Sequence, residues 1–125
     1  MINTLHPWDP SARLAACPRE IKAIFHQLVE LLEGSGRVTV VTQGHRFTGV
    51  GHERFAVGEA GMRWVELELW TGCDVGHPTV RTMACALPHQ GTPRFRYRLR
   101  FRNLRDLDAD LEQLLGQVCS AAAAP

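Results

Sequence analysis

A chain of 125 residues with a formal net charge of +1 makes one ordinary domain, and it excludes functions that need a strongly basic or acidic body. Its 45% hydrophobic and 22% charged residues are those of a folded globular protein, and no apolar run approaches the ~20 residues of a membrane span. Of the 14 basic residues, Lys22 alone is lysine, so any basic surface is local and built from planar, weakly hydrated guanidiniums.

Residues 1–16 hold Pro7 and Pro10 without sustained periodicity and read as a loose arm, with Trp8 to pin it. They lack the basic start and apolar core of an export signal. The four cysteines, Cys17, Cys73, Cys85 and Cys119, are therefore expected as free thiols in a reducing cytoplasm.

Cys17-Pro18-Arg19-Glu20 opens a helix, because proline suits a helix start and Glu20 complements the dipole. Ile21, Ile24, Phe25, Leu28, Leu31 and Leu32 share one face, and Gly34 or Gly36 ends the helix. The pattern then changes to strands. Residues 38–42 are β-branched and apolar, while 45–50 and 53–57 form a hairpin around Gly51-His52. Over residues 62–70, Val65, Leu67 and Leu69 face inward, and Trp64, Glu66, Glu68 and Trp70 face outward. A loop covers 71–78, a less patterned strand 80–87, and a turn-rich connection 88–93.

Residues 94–102 carry the clearest signal. They alternate Arg94, Arg96, Arg98, Arg100 and Arg102 with Phe95, Tyr97, Leu99 and Phe101. On a strand this puts every guanidinium on one side, whereas a helix would scatter them. Alternate residues lie ~6.8 Å apart, so the comb spans ~27 Å. Asn103 then caps a final helix in capping-box style with Asp106, and Leu104, Leu107, Leu111, Leu114, Leu115 and Val118 form its apolar stripe. Residues 121–125 read as a frayed tail.

The expectation is an α+β domain over 17–120, with an N-terminal helix, an antiparallel sheet of five to six strands and a C-terminal helix. Each strand offers one apolar face, so both helices belong on that face and the arginine side is left open. The order of motifs resembles an uncharacterised bacterial family, domain of unknown function 5655. The features are Pro18 leading into Ile21-Lys22-Ala23-Ile24-Phe25, then Glu68-Leu69-Trp70, His77-Pro78-Thr79-Val80-Arg81, and Arg98-Leu99-Arg100 with Asn103 and Leu107-Asp108. The resemblance covers about residues 17–119 and implies a layout similar to small helix–sheet–helix domains, some suspected of binding DNA. It supplies no catalytic residues. Members often carry a Lys or Arg just after the first strand, where this chain has Gln43-Gly44-His45-Arg46.

Three constellations carry chemistry. The arginine row, with Trp64 and Trp70 on the same side, fits an anion-binding surface for nucleic acid or another polyanion. Its plain counterpart is a solvated face neutralised by Glu66 and Glu68, but two carboxylates fall short of five guanidiniums. An acidic protein partner, or a homodimer through the Trp-bearing sheet, is the alternative. Second, Cys73, His77, Cys85 and His89 repeat one Cys-x-x-x-His spacing and supply the donors of a tetrahedral zinc site, though not at finger spacing. That is the third reading: a zinc or small-molecule protein built on Cys/His loops. Third, Glu66-x-Glu68, His45 and His52 are possible acid–base groups, and Cys17 at a helix start invites a lowered thiol pKa. No phosphate-binding glycine loop or nucleophile elbow accompanies them, so no catalytic residue is assigned, zinc is the one cofactor in view, and enzyme activity is unsupported by the sequence.

Overall fold

The computed structural model describes residues 10–72, 82–89 and 92–124, and side chains at 12–72 and 96–124. Its elements are α1 (Pro10–Ala16), α2 (Arg19–Glu33), β1 (Thr39–Gln43), β2 (Arg46–Val50), β3 (Arg54–Ala60), β4 (Val65–Thr71), β5 (Thr82–His89), β6 (Thr92–Phe101), a 3-10 turn (Leu104–Asp106) and α3 (Ala109–Ala123). The strands form one antiparallel sheet in the order β1-β2-β3-β4-β6-β5. Helices α2 and α3 pack on each other and on β1, β3 and β4, as the one-faced apolar pattern demands. Among the described residues no helix is long and apolar enough to cross a membrane.

The core forms where the helical and strand periods meet. Ile21, Ile24, Phe25, Leu28 and Leu32 come from α2, and Leu111, Leu114, Leu115 and Val118 from α3. They close on Phe47, Val65, Leu67, Leu69, Tyr97, Leu99 and Phe101 of the sheet. Each fully buried side chain of this size contributes roughly 1.5–3 kcal/mol. Phe47 meets Phe25 edge-on, with ring centroids 5.3 Å apart, and lies where a side chain on Gly58 would stand.

Four local expectations need correction. Residues 10–16 of the supposed loose arm form α1, because proline fits a first helical position and Leu14 finds the core to pack on. Asn103 and Asp106 do form a capping box, but around the 3-10 turn; Asp108 caps α3 by accepting from the Leu111 N–H at 3.0 Å. Leu104 is therefore 45% exposed rather than part of the helix stripe. Residues 121–123 continue α3, since alanine is the best helix former and the Ala122 carbonyl accepts the His52 N–H at 2.9 Å.

Candidate anion-binding face

β6 lies directly beside β4, and their register decides what surrounds the arginines. Arg96, Arg98 and Arg100 stand opposite Trp70, Glu68 and Glu66, while Tyr97 and Leu99 turn into the core opposite Leu69 and Leu67. The arginine side of β6 thus lies on the sheet face away from the helices. Arg94 is paired with Leu87 in the β5–β6 register, and its side chain lies outside the described residues.

The pairing is incomplete neutralisation. Glu68 Oε1 accepts from Arg96 Nη2 at 2.8 Å and from Arg98 Nη2 and Nε at 2.9 and 3.1 Å. Glu66 Oε1 accepts from Arg100 Nε at 3.0 Å and lies 3.8 Å from Arg98 Nε. Burial alone would raise the Glu68 carboxyl, yet hydrogen bonds and charge from Arg96 and Arg98 outweigh it and hold the pKa below its usual value. Arg102 has no carboxylate partner among the described residues; its guanidinium lies 5.2 Å from the Trp64 ring centroid, and that of Arg100 lies 4.5 Å away. Trp64 precedes β4 and is half-buried, with its ring serving these two cations. Among the described residues, three guanidiniums, Arg96, Arg98 and Arg100, therefore share the carboxylates of Glu66 and Glu68, and Arg102 rests on Trp64.

The face continues over β3, β2 and β1. Arg98, Glu68, Val57, Thr48 and Val41 form one cross-strand row, and Arg100, Glu66, Glu59, Arg46 and Gln43 the next. Arg46 Nε pairs with Glu59 Oε2 at 2.9 Å. Register shifts between Gly49 and Val50, and such a bulge bends and twists its strand. A groove of about 420 Å³ lies here, lined by Val41, Gln43, Arg46, Thr48, Arg54, Val57, Glu68 and Trp70. Arg54 is exposed and forms no ion pair among the described residues. Among the described residues of this face are six guanidiniums (Arg46, Arg54, Arg96, Arg98, Arg100, Arg102) and three carboxylates (Glu59, Glu66, Glu68).

The structure therefore brings together Arg96, Arg98, Arg100 and Arg102 with both tryptophans. Trp64 is engaged by arginine, whereas Trp70 lines the groove. The zinc quartet cannot be placed: Cys73 and His77 lie outside the described residues, as do the side chains of Cys85 and His89 on β5. Among the described residues no three His, Cys, Asp or Glu side chains converge on one point. The acid–base candidates separate too. Glu66 and Glu68 are held by arginines, His45 is buried, and His52 is exposed on the β2–β3 hairpin. Cys17 reverses expectation: it is buried, Pro18 takes the capping position, and burial raises its thiol pKa against the opposing charges of Lys22 and Arg13.

The groove residues Val41, Arg46, Thr48, Arg54 and Val57 were not singled out in the sequence. Their signal was the two-residue alternation in 46–50, where Phe47 is buried and Arg46 and Thr48 are not. No protein-family model, characterised protein or solved structure matches the chain significantly.

Proposed function

We propose that the protein is a non-catalytic binding module that takes polyanions, nucleic acid first, on its open sheet face, and that it acts in the cytoplasm. One observation carries the reading: among the described residues, Arg96, Arg98, Arg100 and Arg102 line one side of a strand, on the sheet face away from the helices, beside only two carboxylates, Glu66 and Glu68. The strand backbone fixes their spacing, so a ligand meets a preformed row of charge rather than flexible lysines. The resemblance of the motif order to domain of unknown function 5655 would imply a similar layout and names no ligand.

The test is anisotropy of a labelled single strand with the parent and with an Arg96→Ala, Arg98→Ala, Arg100→Ala triple variant. If three phosphates are contacted, affinity falls roughly 20-fold between 50 and 200 mM salt, and the triple variant flattens that dependence. A parent that binds no polyanion at low salt, or a variant that binds like the parent, overturns the proposal.

A second reading is pairing of two copies through β1, an edge strand of the sheet among the described residues. Its residues are uncharged, and its Val41 is 55% exposed. Such a dimer persists at high salt, where phosphate contacts are lost, so sedimentation at 1 M salt separates the two.

A further inference from the structure

We propose that the groove over β1–β4 seats one unpaired nucleobase, with its phosphate on Arg54, so that the ligand of the arginine face is single-stranded rather than duplex nucleic acid. The inference rests on the polyanion reading above and deepens it. The groove's volume, about 420 Å³, lies in the lower part of the ~300–1,000 Å³ range of small-molecule sites, room for one nucleotide.

The lining chemistry selects the occupant. Trp70 offers an aromatic wall, and base–aromatic stacking is the common means of holding an unpaired base. Val57 and Val41 add apolar side chains to the lining, and Thr48 and Gln43 add uncharged polar groups able to meet a base edge. The anionic end is provided for separately. Arg46 is occupied by Glu59, but Arg54 has no carboxylate partner among the described residues and is open to a phosphate. The one acid in the groove, Glu68, is already bound by Arg96 and Arg98, which removes its repulsion for an anion.

Position adds a second argument. Trp70 is the cross-strand partner of Arg96, so the groove opens directly onto the arginine row. A strand running along that row on β6 would pass beside the groove at Trp70, where a base turned sideways across β4 can enter it. A base-paired helix keeps its bases stacked inside and offers none to the groove.

The experiment uses the full chain and four probes: a labelled 12-nucleotide single strand, the same strand with abasic sites, a duplex of equal length, and a free nucleoside monophosphate. Trp70→Ala is expected to weaken binding of the base-bearing strand roughly 5- to 150-fold and leave the abasic strand unchanged. Trp70→Phe, which keeps an aromatic ring and the fold, should retain most of the affinity. Saturable binding of the monophosphate assigns the seat to a free nucleotide as well, and its failure assigns the seat to bases within a strand; both accord with the inference. Equal parent affinity for base-bearing and abasic strands, or equal losses for both in Trp70→Ala, overturns the groove while leaving the arginine face standing. Absence of binding to any polyanion overturns both.

Discussion

Glu68 and Arg98 stand directly opposite each other on β4 and β6, and Arg98 donates to one Glu68 oxygen through both Nη2 and Nε, at 2.9 and 3.1 Å. Arg96 donates to the same oxygen at 2.8 Å. One carboxylate thus holds two guanidiniums together on neighbouring positions of one strand face. Without it they would repel. The side chains are about a fifth to a quarter exposed, so the pairs are less screened than surface ion pairs.

Glu68→Gln is therefore expected to act in two directions. Losing the charge costs about 1 kcal/mol of stability, a Tm drop of about 3–6 °C. The same change adds one uncompensated positive charge to the face, so polyanion affinity should rise severalfold at 50 mM salt. Calorimetry and anisotropy on one variant check both. A fall in affinity at unchanged fold would show that Glu68 contacts the ligand rather than restraining it.

Acid should erase the Glu68 contribution, and the sign follows from its depressed pKa. The folded carboxyl ionises below the unfolded value of about 4.3, so its stabilisation is complete above that value. It fades as pH falls through the folded pKa, where both states are protonated. The stability gap between parent and Glu68→Gln should be constant from neutral pH down to about 5 and shrink below it. Urea midpoints across pH 3–7 measure the gap; a gap that stays level at acid pH would place the stabilisation elsewhere.

The two-residue rhythm made the arginine strand and its two faces legible, because no other element reconciles Arg96, Arg98 and Arg100 with buried Tyr97 and Leu99. Strand order was not legible. Consecutive strands usually pair, yet β5 lies outside β6 and leaves β4 to face it. In hindsight the opposite charges of Glu66, Glu68, Arg98 and Arg100 suit adjacent strands, a preference worth only ~0.2–1 kcal/mol per pair. The groove is lined by β1–β4, which pair in chain order, but Arg54 joins it beside the Gly49–Val50 register shift, which no local pattern announces. The final alanines hold no legible signal for a related reason: an all-alanine run has no amphipathic period, and its docking rests on long-range contacts, the His52 N–H on the Ala122 carbonyl and Ala122 against the core.

Two glycines should respond to alanine with opposite signs. Gly58 in β3 is covered by the Phe47 ring, and an added Cβ would collide with its Cε2 and Cζ atoms. Phe47 is buried and wedged against Phe25, so it has little room to yield, and Gly58→Ala should cost about 1–3 kcal/mol. Gly116 in α3 is exposed and an added Cβ meets nothing within 4 Å. Gly116→Ala should gain roughly 0.5–1 kcal/mol from helix propensity alone. Thermal melts of both variants decide it. A neutral Gly58→Ala would mean that the Phe47 ring is not held against the strand.

Cys17 and Cys119 are free, buried thiols, and this sets a chemical expectation. Burial raises both pKa values; Lys22 and Arg13 oppose it at Cys17, and a Ser35 hydrogen bond opposes it at Cys119. Since the thiolate is the reacting species, both should resist alkylation in the folded protein at pH 8 and react at ordinary rates in denaturant. Linkage gives the stability effect as well. An acid whose folded pKa is raised holds its proton longer than in the unfolded chain, so its contribution is complete at neutral pH and is lost as pH rises past the unfolded value near 8.5. Peptide mapping after timed iodoacetamide exposure separates these two positions from the rest. Fast labelling of Cys17 in the native protein would show that the junction between α1 and α2 opens readily, because Cys17 lies in that junction, buried in the core with its Sγ–H donating to the Arg13 carbonyl at 3.2 Å.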